Sequence, residues 1–167
     1  MPLLMAKHFP IRRLVVHCSA TPPSMDIGVE TIRGWHRAKG WADVGYHYVI
    51  RRDGTVEKGR HETRPGAHVA GFNTGSLGIC LVGGVREDNV NAANANFTAE
   101  QLGALRRLLH ELKERHPGAA IMGHRDLSPD RNGNGRIDKG EWVKDCPAFN
   151  VTAWWLSGGI FAGVLPQ

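Results

Sequence analysis

Residues 12–19, "RRLVVHCS", form a short apolar run with β-branched side chains, which predicts a β-strand that ends near His17. A longer apolar run, "SLGICLVGG" at 76–84, predicts a buried central strand. The stretch "AAIMGH" at 119–124 predicts a last short strand. "YHYVIRRDGTVEKG" at 46–59 predicts a hairpin, because its Asp-Gly pair tolerates the positive φ of a tight turn.

Three further stretches have the features of helices. In "GVETIRGWHRAKG" at 28–40, one predicted helical face consists of Ile32, Trp35, His36 and Lys39. A longer helix begins at Thr98, with Gln101 three residues later as in a capping box, and its apolar stripe consists of Leu102, Leu105, Leu109 and Leu112. "NVTAWW" at 150–155 predicts a short third helix. Strands that alternate with helices indicate an α/β domain with a mixed sheet and helices on its faces.

The composition limits the class of protein. A length of 167 residues fits one domain, and 41% hydrophobic and 22% charged residues are ordinary for a globular protein. The net charge of +5 suits an anionic partner, but no Lys/Arg run with interleaved aromatic residues predicts a nucleic-acid surface. The first residues lack a signal-peptide core, and no apolar run has the length of a membrane span. Three widely spaced cysteines argue against a disulfide framework. We therefore expect the protein to be located in a reducing compartment, the cytoplasm.

Two histidines and one cysteine occupy positions where α/β folds carry their chemistry. His17 and His124 each follow a predicted strand, and Cys146 lies in a loop ahead of a predicted helix. Three nitrogen and sulfur ligands can form a tetrahedral zinc site whose fourth position is left for water. The chain has nine histidines, so spacing alone leaves other ligand pairs open.

Five stretches of the chain resemble one enzyme family, and they are "VVHCSAT", "WHRAKGWADVGYHYVIRRDGTVEKGR", "GFNTGSLGICLVGG", "ANFTAEQ" and "CPAFNVTAWW". Together they resemble the type 2 N-acetylmuramoyl-L-alanine amidases, and most closely the podoviral endolysins of that family. The likeness runs from about Ile11 to Trp155. That family shares its fold with the peptidoglycan recognition proteins. The resemblance implies a central mixed β-sheet of about five strands flanked by helices, with a zinc cleft on one side.

The resemblance also implies the residues of the site and the reaction. It makes His17, His124 and Cys146 the zinc ligands, and Tyr46 and Lys144 the catalytic side chains. The family reaction is hydrolysis of the amide between the lactyl group of N-acetylmuramic acid and L-alanine in peptidoglycan. Zinc lowers the pKa of its bound water to about 7 and polarises the scissile carbonyl. Lys144 would then stabilise the oxyanion, and the Tyr46 hydroxyl would orient the water or the tetrahedral intermediate.

The remaining histidines and the neighbouring cysteine receive less specific expectations. His68, in "GAHVAGFN", falls where the family lines its cleft, so a substrate contact and a structural role both stay open. Cys18 is expected to be a buried neighbour of His17 and not a fourth ligand. The histidines expected to be structural are His36, His47 and His61.

The chain departs from the family in an insert at about 128–142, "DRNGNGRIDKGEW" with its flanks. The insert fits the calcium-loop pattern D-x-[DN]-x-[DN]-G-x5-E without a mismatch. The expected calcium ligands are Asp130, Asn132, Asn134, the Arg136 carbonyl, Asp138 and Glu141. Oxygen ligands suit Ca²⁺ better than zinc, and the expected role is structural: to hold Lys144 and Cys146 at the zinc. No helical pattern leads into the loop, so a flexible insertion without metal stays open as the alternative.

We expect one catalytic domain over residues 1–167, a loosely packed tail at 157–167, and a monomer. The expected function is that of a phage endolysin, made in the host cytoplasm and released to the cell wall when a holin opens the membrane. Three alternatives stay open. The first is a cytosolic muropeptide-recycling amidase, and the second is an amidase that also regulates a phage RNA polymerase. The third is a peptidoglycan-binding module without activity, but such modules typically lose the cysteine ligand.

Overall fold

A computed structural model of the chain describes residues 9–158, so most of the expected tail lies outside the described residues. The strands and helices, in chain order, are β1 (Arg13–Cys18), α1 (Val29–Ala38), β2 (Tyr48–Ile50), β3 (Val56–Lys58), β4 (Ser76–Leu81), α2 (Ala99–Arg115), β5 (Ala120–Gly123) and α3 (Val151–Ser157). Two short 3-10 turns, His124–Leu127 and Lys139–Glu141, lie on either side of most of the insert. Each strand and helix predicted from the sequence is therefore present.

The five strands form one mixed sheet in the order β3-β2-β4-β1-β5. Strand β1 runs parallel to both of its neighbours, β4 and β5, and β2 runs parallel to β4. Only the β2–β3 hairpin is antiparallel. The prediction of a central mixed sheet of about five strands flanked by helices is confirmed. Because β1 and β5 are parallel neighbours, their carboxyl ends meet at one edge of the sheet.

The larger core lies between the sheet and helices α2 and α3. The predicted leucine stripe of α2 is buried there, together with the fully buried Trp154 of α3. Full burial of each such side chain contributes roughly 1.5–3 kcal/mol to stability. The opposite face of the sheet carries a smaller cluster around Val49 and Cys80, covered by α1. The smaller cluster leaves room on that face for polar side chains.

Helix α1 buries part of the face described from the sequence. Its buried residues are Val29, Ile32 and His36, at spacings of three and four residues. Trp35 is 40% exposed, and Lys39 lies beyond the last helical residue. Of the four residues that the sequence places on one helical face, only Ile32 and His36 are buried.

Helix α2 begins with the predicted capping box. The Thr98 hydroxyl accepts a hydrogen bond from the Gln101 backbone N–H at 3.1 Å, and the Gln101 side-chain oxygen accepts one from the Thr98 N–H at 3.1 Å. The buried Gln101 amide also donates to the carbonyls of Ile50 at 3.1 Å and Val82 at 2.9 Å. One side chain thus ties the start of α2 to the ends of β2 and β4.

Candidate active site

The structure brings His17, His124 and Cys146 together at the carboxyl edge of β1 and β5. His17 lies near the end of β1, His124 directly follows β5, and Cys146 lies in the loop before α3. Their ligand atoms all lie within 4.8 Å of one another, and Nδ1 of His17 is 3.9 Å from Sγ of Cys146. Atoms bound to one tetrahedral zinc lie about 3.5 Å apart, so a small contraction would suffice. Within residues 9–158 no other group of three His, Cys, Asp or Glu ligands converges in this way.

His17 is oriented by a second histidine. Its Nε2 lies 2.8 Å from Nδ1 of His68, while its Nδ1 faces Cys146. If Nδ1 of His17 is the metal ligand, its Nε2 carries the proton and donates to His68. His68 is only 9% exposed and packs against Gly78 of β4. The geometry thus gives His68 a supporting position behind the ligand, and a direct substrate contact stays a prediction.

Burial sets the protonation of these histidines. The pKa of His17 is lowered well below its usual value, mainly by burial and then by the charges of His68, His124 and Lys144. Burial also lowers the pKa of His124, and it lowers the pKa of His68 to about 3. Neutral imidazole is the form that binds a metal ion. The pocket therefore keeps these histidines in the neutral form that a zinc site needs. The hydrogen bond with the Cys18 thiol, followed by burial, raises the pKa of Cys146 well above its usual value, so without a metal ion the thiol stays protonated.

Besides Nδ1 of His17, two atoms of Cys18 lie close to the sulfur of Cys146. The backbone N–H of Cys18 donates to Sγ of Cys146 at 3.3 Å, which lowers the pKa of Cys146 by less than the Cys18 thiol and burial raise it. The Cys18 sulfur lies 4.0 Å from that of Cys146 and is buried. It does not belong to the group of three converging ligands. Cys18 therefore lies beside the site without completing it.

Tyr46 contacts the cluster through His17, and the charge of Lys144 affects two of its histidines. The Tyr46 ring packs against the His17 ring, with centroids 5.2 Å apart. Burial, followed by the nearby thiols of Cys80 and Cys146, raises the pKa of Tyr46 well above its usual value, so the hydroxyl stays a donor. Lys144 is exposed, and its positive charge contributes to the lowered pKa values of His17 and His124.

A buried arginine that the sequence did not single out also belongs to this region. Arg125 follows His124 directly and is only 6% exposed. Its guanidinium donates to the Asp145 carboxylate at 3.0 Å. A charged side chain next to a candidate ligand, in "GHRD", is the only sequence signal that could have pointed to it.

The insert is folded, and its acidic side chains accept hydrogen bonds from other groups of the same loop. The Asp130 carboxylate accepts hydrogen bonds from the N–H groups of Gly133 at 2.7 Å and Gly135 at 2.8 Å. Glu141, 6% exposed, accepts hydrogen bonds from the backbone N–H groups of Arg131, Asn132 and Asp138. The side-chain amides of Asn132 and Asn134 donate to Asp138. The segment before the loop contains a 3-10 turn and no entering helix, as expected, and calcium binding stays a prediction.

Two cavities border different parts of the fold. A cavity of about 350 Å³ adjoins His124 and is lined mostly by apolar residues, among them Val69, Phe72 and Val143. A larger cavity of about 780 Å³ lies around 58–65 and the end of α2 and does not border the three ligands. The smaller cavity is the one a substrate at the metal site would meet, because His124 forms part of its wall.

Comparisons with solved structures assign the mixed sheet and its flanking helices to the fold of peptidoglycan amidases and recognition proteins. N-acetylmuramoyl-L-alanine amidase LysC from Clostridium intestinale aligns with 90% of this chain and 85% of its own, at a TM-score of 0.66 and 24% identity. The peptidoglycan recognition protein LCa–LCx complex aligns with 83% of this chain and 76% of its own, at a TM-score of 0.61 and 25% identity. These likenesses concern mainly the fold.

Sequence comparison identifies the family. A family model for N-acetylmuramoyl-L-alanine amidase matches residues 7–147. The endolysin of Klebsiella phage KP32 is 48% identical over 86% of this chain and 84% of its own length. The endolysin of Escherichia phage T7 is 44% identical over 85% of this chain and 83% of its own. The chain belongs to the N-acetylmuramoyl-L-alanine amidase family. None of the helices between residues 9 and 158 has the length and hydropathy of a membrane span.

Proposed function

We propose that the chain is a phage endolysin that hydrolyses the amide between N-acetylmuramic acid and L-alanine in peptidoglycan, with zinc held by His17, His124 and Cys146. The observation that carries this proposal is the convergence of the three ligand atoms within 4.8 Å. It occurs in a chain 48% identical to a Klebsiella phage endolysin. Family membership supports the amidase reaction, and the donor set supports zinc, because two neutral imidazoles and a thiolate suit that ion.

The side chains around the three ligands would each have a separate role in the reaction. When bound, zinc supplies an activated water near neutral pH and polarises the scissile carbonyl. The Lys144 ammonium would offset negative charge that develops on the carbonyl oxygen. The Tyr46 hydroxyl, which stays protonated, would donate a hydrogen bond to the reacting group. His68 would keep the His17 ring in its ligand orientation through the 2.8 Å contact.

Metal analysis combined with a peptidoglycan digest tests this proposal. The purified protein should carry about one zinc per chain, as expected for one three-ligand site. Digestion should release new L-alanine amino termini and no reducing sugars. Removal of zinc should abolish the release, and added zinc should restore it. A product profile dominated by reducing ends would contradict the amidase assignment.

We propose that the protein acts on the cell wall, as its similarity to endolysins suggests. It would accumulate in the host cytoplasm until a holin opens the membrane. Intact sacculi should be the better substrate. A preference for soluble anhydro-muropeptides would favour a recycling amidase instead. Titration of the protein into a phage transcription assay tests regulation of an RNA polymerase, and sedimentation tests the expected monomer.

We also propose that the insert holds one structural Ca²⁺. The support is the complete match to the twelve-residue calcium pattern and the closed conformation of the loop. The side chains of Asn132, Asn134 and Asp138 already contact one another, and Glu141 is buried at the base of the loop. Few formal charges and no entering helix predict weak binding, toward the 10⁻⁵ to 10⁻³ M range.

A calcium titration of thermal unfolding tests the loop. At free calcium 100 times the Kd, the native state gains about 2.7 kcal/mol, which raises Tm by several degrees for a domain of this size. Glu141→Ala should remove the calcium-dependent rise, whereas Glu111→Ala, an exposed acid on α2, should keep it. Calcium alone should restore no activity to metal-stripped protein. Because Glu141→Ala also loses three hydrogen bonds to backbone N–H groups, the comparison is the change in Tm with calcium in each protein. A wild-type Tm that stays constant up to several millimolar calcium would show that the loop binds none.

A further inference from the structure

Arg125 connects the two halves of the candidate metal site. Its backbone N–H donates to the carbonyl of Cys146 at 2.9 Å, and its side chain donates to the Asp145 carboxylate at 3.0 Å. Its guanidinium also lies over the Trp142 ring, 4.0 Å from the centroid. We call Arg125, Trp142 and Asp145 the arginine clamp. The clamp contacts the chain on both sides of Lys144.

Lys144 needs such support because little else fixes it. It is exposed, and within residues 9–158 no hydrogen bond or ion pair of its side chain is seen. Residues 142–146 form neither helix nor strand. Apart from the clamp, three hydrogen bonds tie this segment to its surroundings. The N–H of Val143 donates to the Ser128 hydroxyl at 3.1 Å, the N–H of Trp142 donates to the Lys139 carbonyl at 3.4 Å, and Sγ of Cys146 accepts from the Cys18 N–H at 3.3 Å. The backbone of this segment therefore decides where the Lys144 ammonium lies.

The burial of Arg125 is unusual enough to require a compensating contact. A buried charge is costly unless it is paired and hydrogen-bonded. Asp145 supplies the charge-assisted hydrogen bond, and the Trp142 ring supplies a cation–π contact. Both partners flank Lys144, and Asp145 immediately precedes Cys146. The interactions that compensate the buried charge are thus the ones that fix this segment.

We propose that Arg125 is a positioning residue that holds Lys144 at the reacting carbonyl through the arginine clamp. Arg125 itself contacts no substrate in this proposal. The inference rests on the role proposed for Lys144. A purely structural role for Arg125 makes a different prediction, because loss of a structural anchor lowers stability or zinc content regardless of which residue stands at position 144.

A double-mutant cycle separates the two roles. Arg125→Met should lower kcat for peptidoglycan about 10- to 100-fold, the usual effect of losing a supporting contact at a metal site. Its zinc content and KM should stay near wild-type values. In a Lys144→Ala background, the same substitution should lower kcat less than about twofold, because residues that act through one another are not additive. Arg125→Lys should recover part of the activity.

Two further variants make the experiment robust. Arg107→Met, at an exposed arginine of α2, is the matched control and should leave kcat unchanged. If Arg125→Met does not fold, Asp145→Asn replaces it in the cycle, because Asp145 is 38% exposed and its substitution leaves Arg125 in place. The same non-additivity with Lys144→Ala is expected.

Distinct results would overturn the clamp and the role of Lys144. An equal loss from Arg125→Met in both backgrounds, or a loss that follows zinc release, would show that Arg125 does not act through Lys144. Normal turnover of Arg125→Met beside an impaired Lys144→Ala would overturn the clamp alone. Normal turnover of Lys144→Ala would overturn the proposed role of Lys144 and the clamp with it.

Discussion

At His17 the two ring nitrogens have different partners, and this asymmetry explains how the site is oriented. Nε2 contacts His68 at 2.8 Å, and Nδ1 faces the sulfur of Cys146 at 3.9 Å. The sequence suggested His17 as a ligand by its place at a strand end and by family resemblance. It gave no sign of the His68 contact, because that contact joins residues 51 positions apart. The chemistry of single residues is best tested by substitutions that change one donor at a time.

Cysteine substitution distinguishes the two neighbouring thiols. Cys146→Ser should lose zinc and activity together, because an alcohol is a poor zinc ligand at neutral pH. Cys18→Ser should keep the metal, since its sulfur does not belong to the group of three converging ligands. Metal analysis after dialysis measures both variants. Retention of zinc by Cys146→Ser would exclude the cysteine as a ligand.

The two proposed catalytic side chains should affect turnover without affecting the metal. Tyr46→Phe and Lys144→Ala should each reduce kcat about 10²- to 10³-fold, if each removes one contact made in the transition state. Zinc content and Tm should stay close to wild type, because neither side chain is a ligand. Near-normal kcat in both variants would show that these roles do not apply to this chain.

Local sequence patterns predicted which strands and helices are present better than they predicted how these elements pack against one another. The capping box at Thr98 and the leucine stripe of α2 depend on residues three or four apart, and both were confirmed. The 40% exposure of Trp35 depends on how α1 packs on the sheet, which no local pattern encodes. Arg125 was missed for the same reason. The three proposed metal ligands lie on separate segments of the chain, so family resemblance, and not spacing, selected His17 and His124 from nine histidines and paired them with Cys146.

Gly78 of strand β4 supports the site because the absence of a side chain there leaves space for the His68 ring. A Cβ atom at Gly78 would lie 2.6 Å from Cγ of His68, so Gly78→Ala should push the ring away and release His17. We expect zinc affinity to fall about 10- to 100-fold, as for loss of other supporting contacts. Gly103→Ala on α2, where the nearest atom would be an arginine nitrogen at 3.5 Å, is the control and should keep the affinity. Competition with a chelator measures both, and equal affinities would contradict the predicted support.

Across the whole molecule, the sheet separates two environments. Its α2–α3 face holds the larger apolar core, and the other face carries buried histidines as well as the smaller cluster. Burial is the largest cause of the lowered pKa values of His17, His47, His68 and His124. The side of the sheet that carries the site therefore makes the stability of the metal-free fold sensitive to acid.

The sign of this pH dependence follows from proton uptake. An unfolded histidine titrates near pH 6.5, whereas His68 in the fold titrates at about 3, so the unfolded state binds more protons between these values. Stability of the metal-free protein should fall as pH drops below about 6.5, by up to about 1.4 kcal/mol per pH unit for each such histidine. Melting at pH 7.5 and pH 5 measures the fall. His68→Gln should flatten it, and an unchanged Tm in wild type would contradict the prediction.

The placement of β1 between β4 and β5 has a consequence for synthesis of the protein. Strand β1 leaves the ribosome first, yet both of its hydrogen-bonding edges wait for partners made much later, at 76–81 and 120–123. Cys146 follows later still, 129 positions after His17. Contacts between such distant residues form late and slowly during folding. A nascent chain therefore cannot assemble the three-ligand centre before translation has passed Cys146.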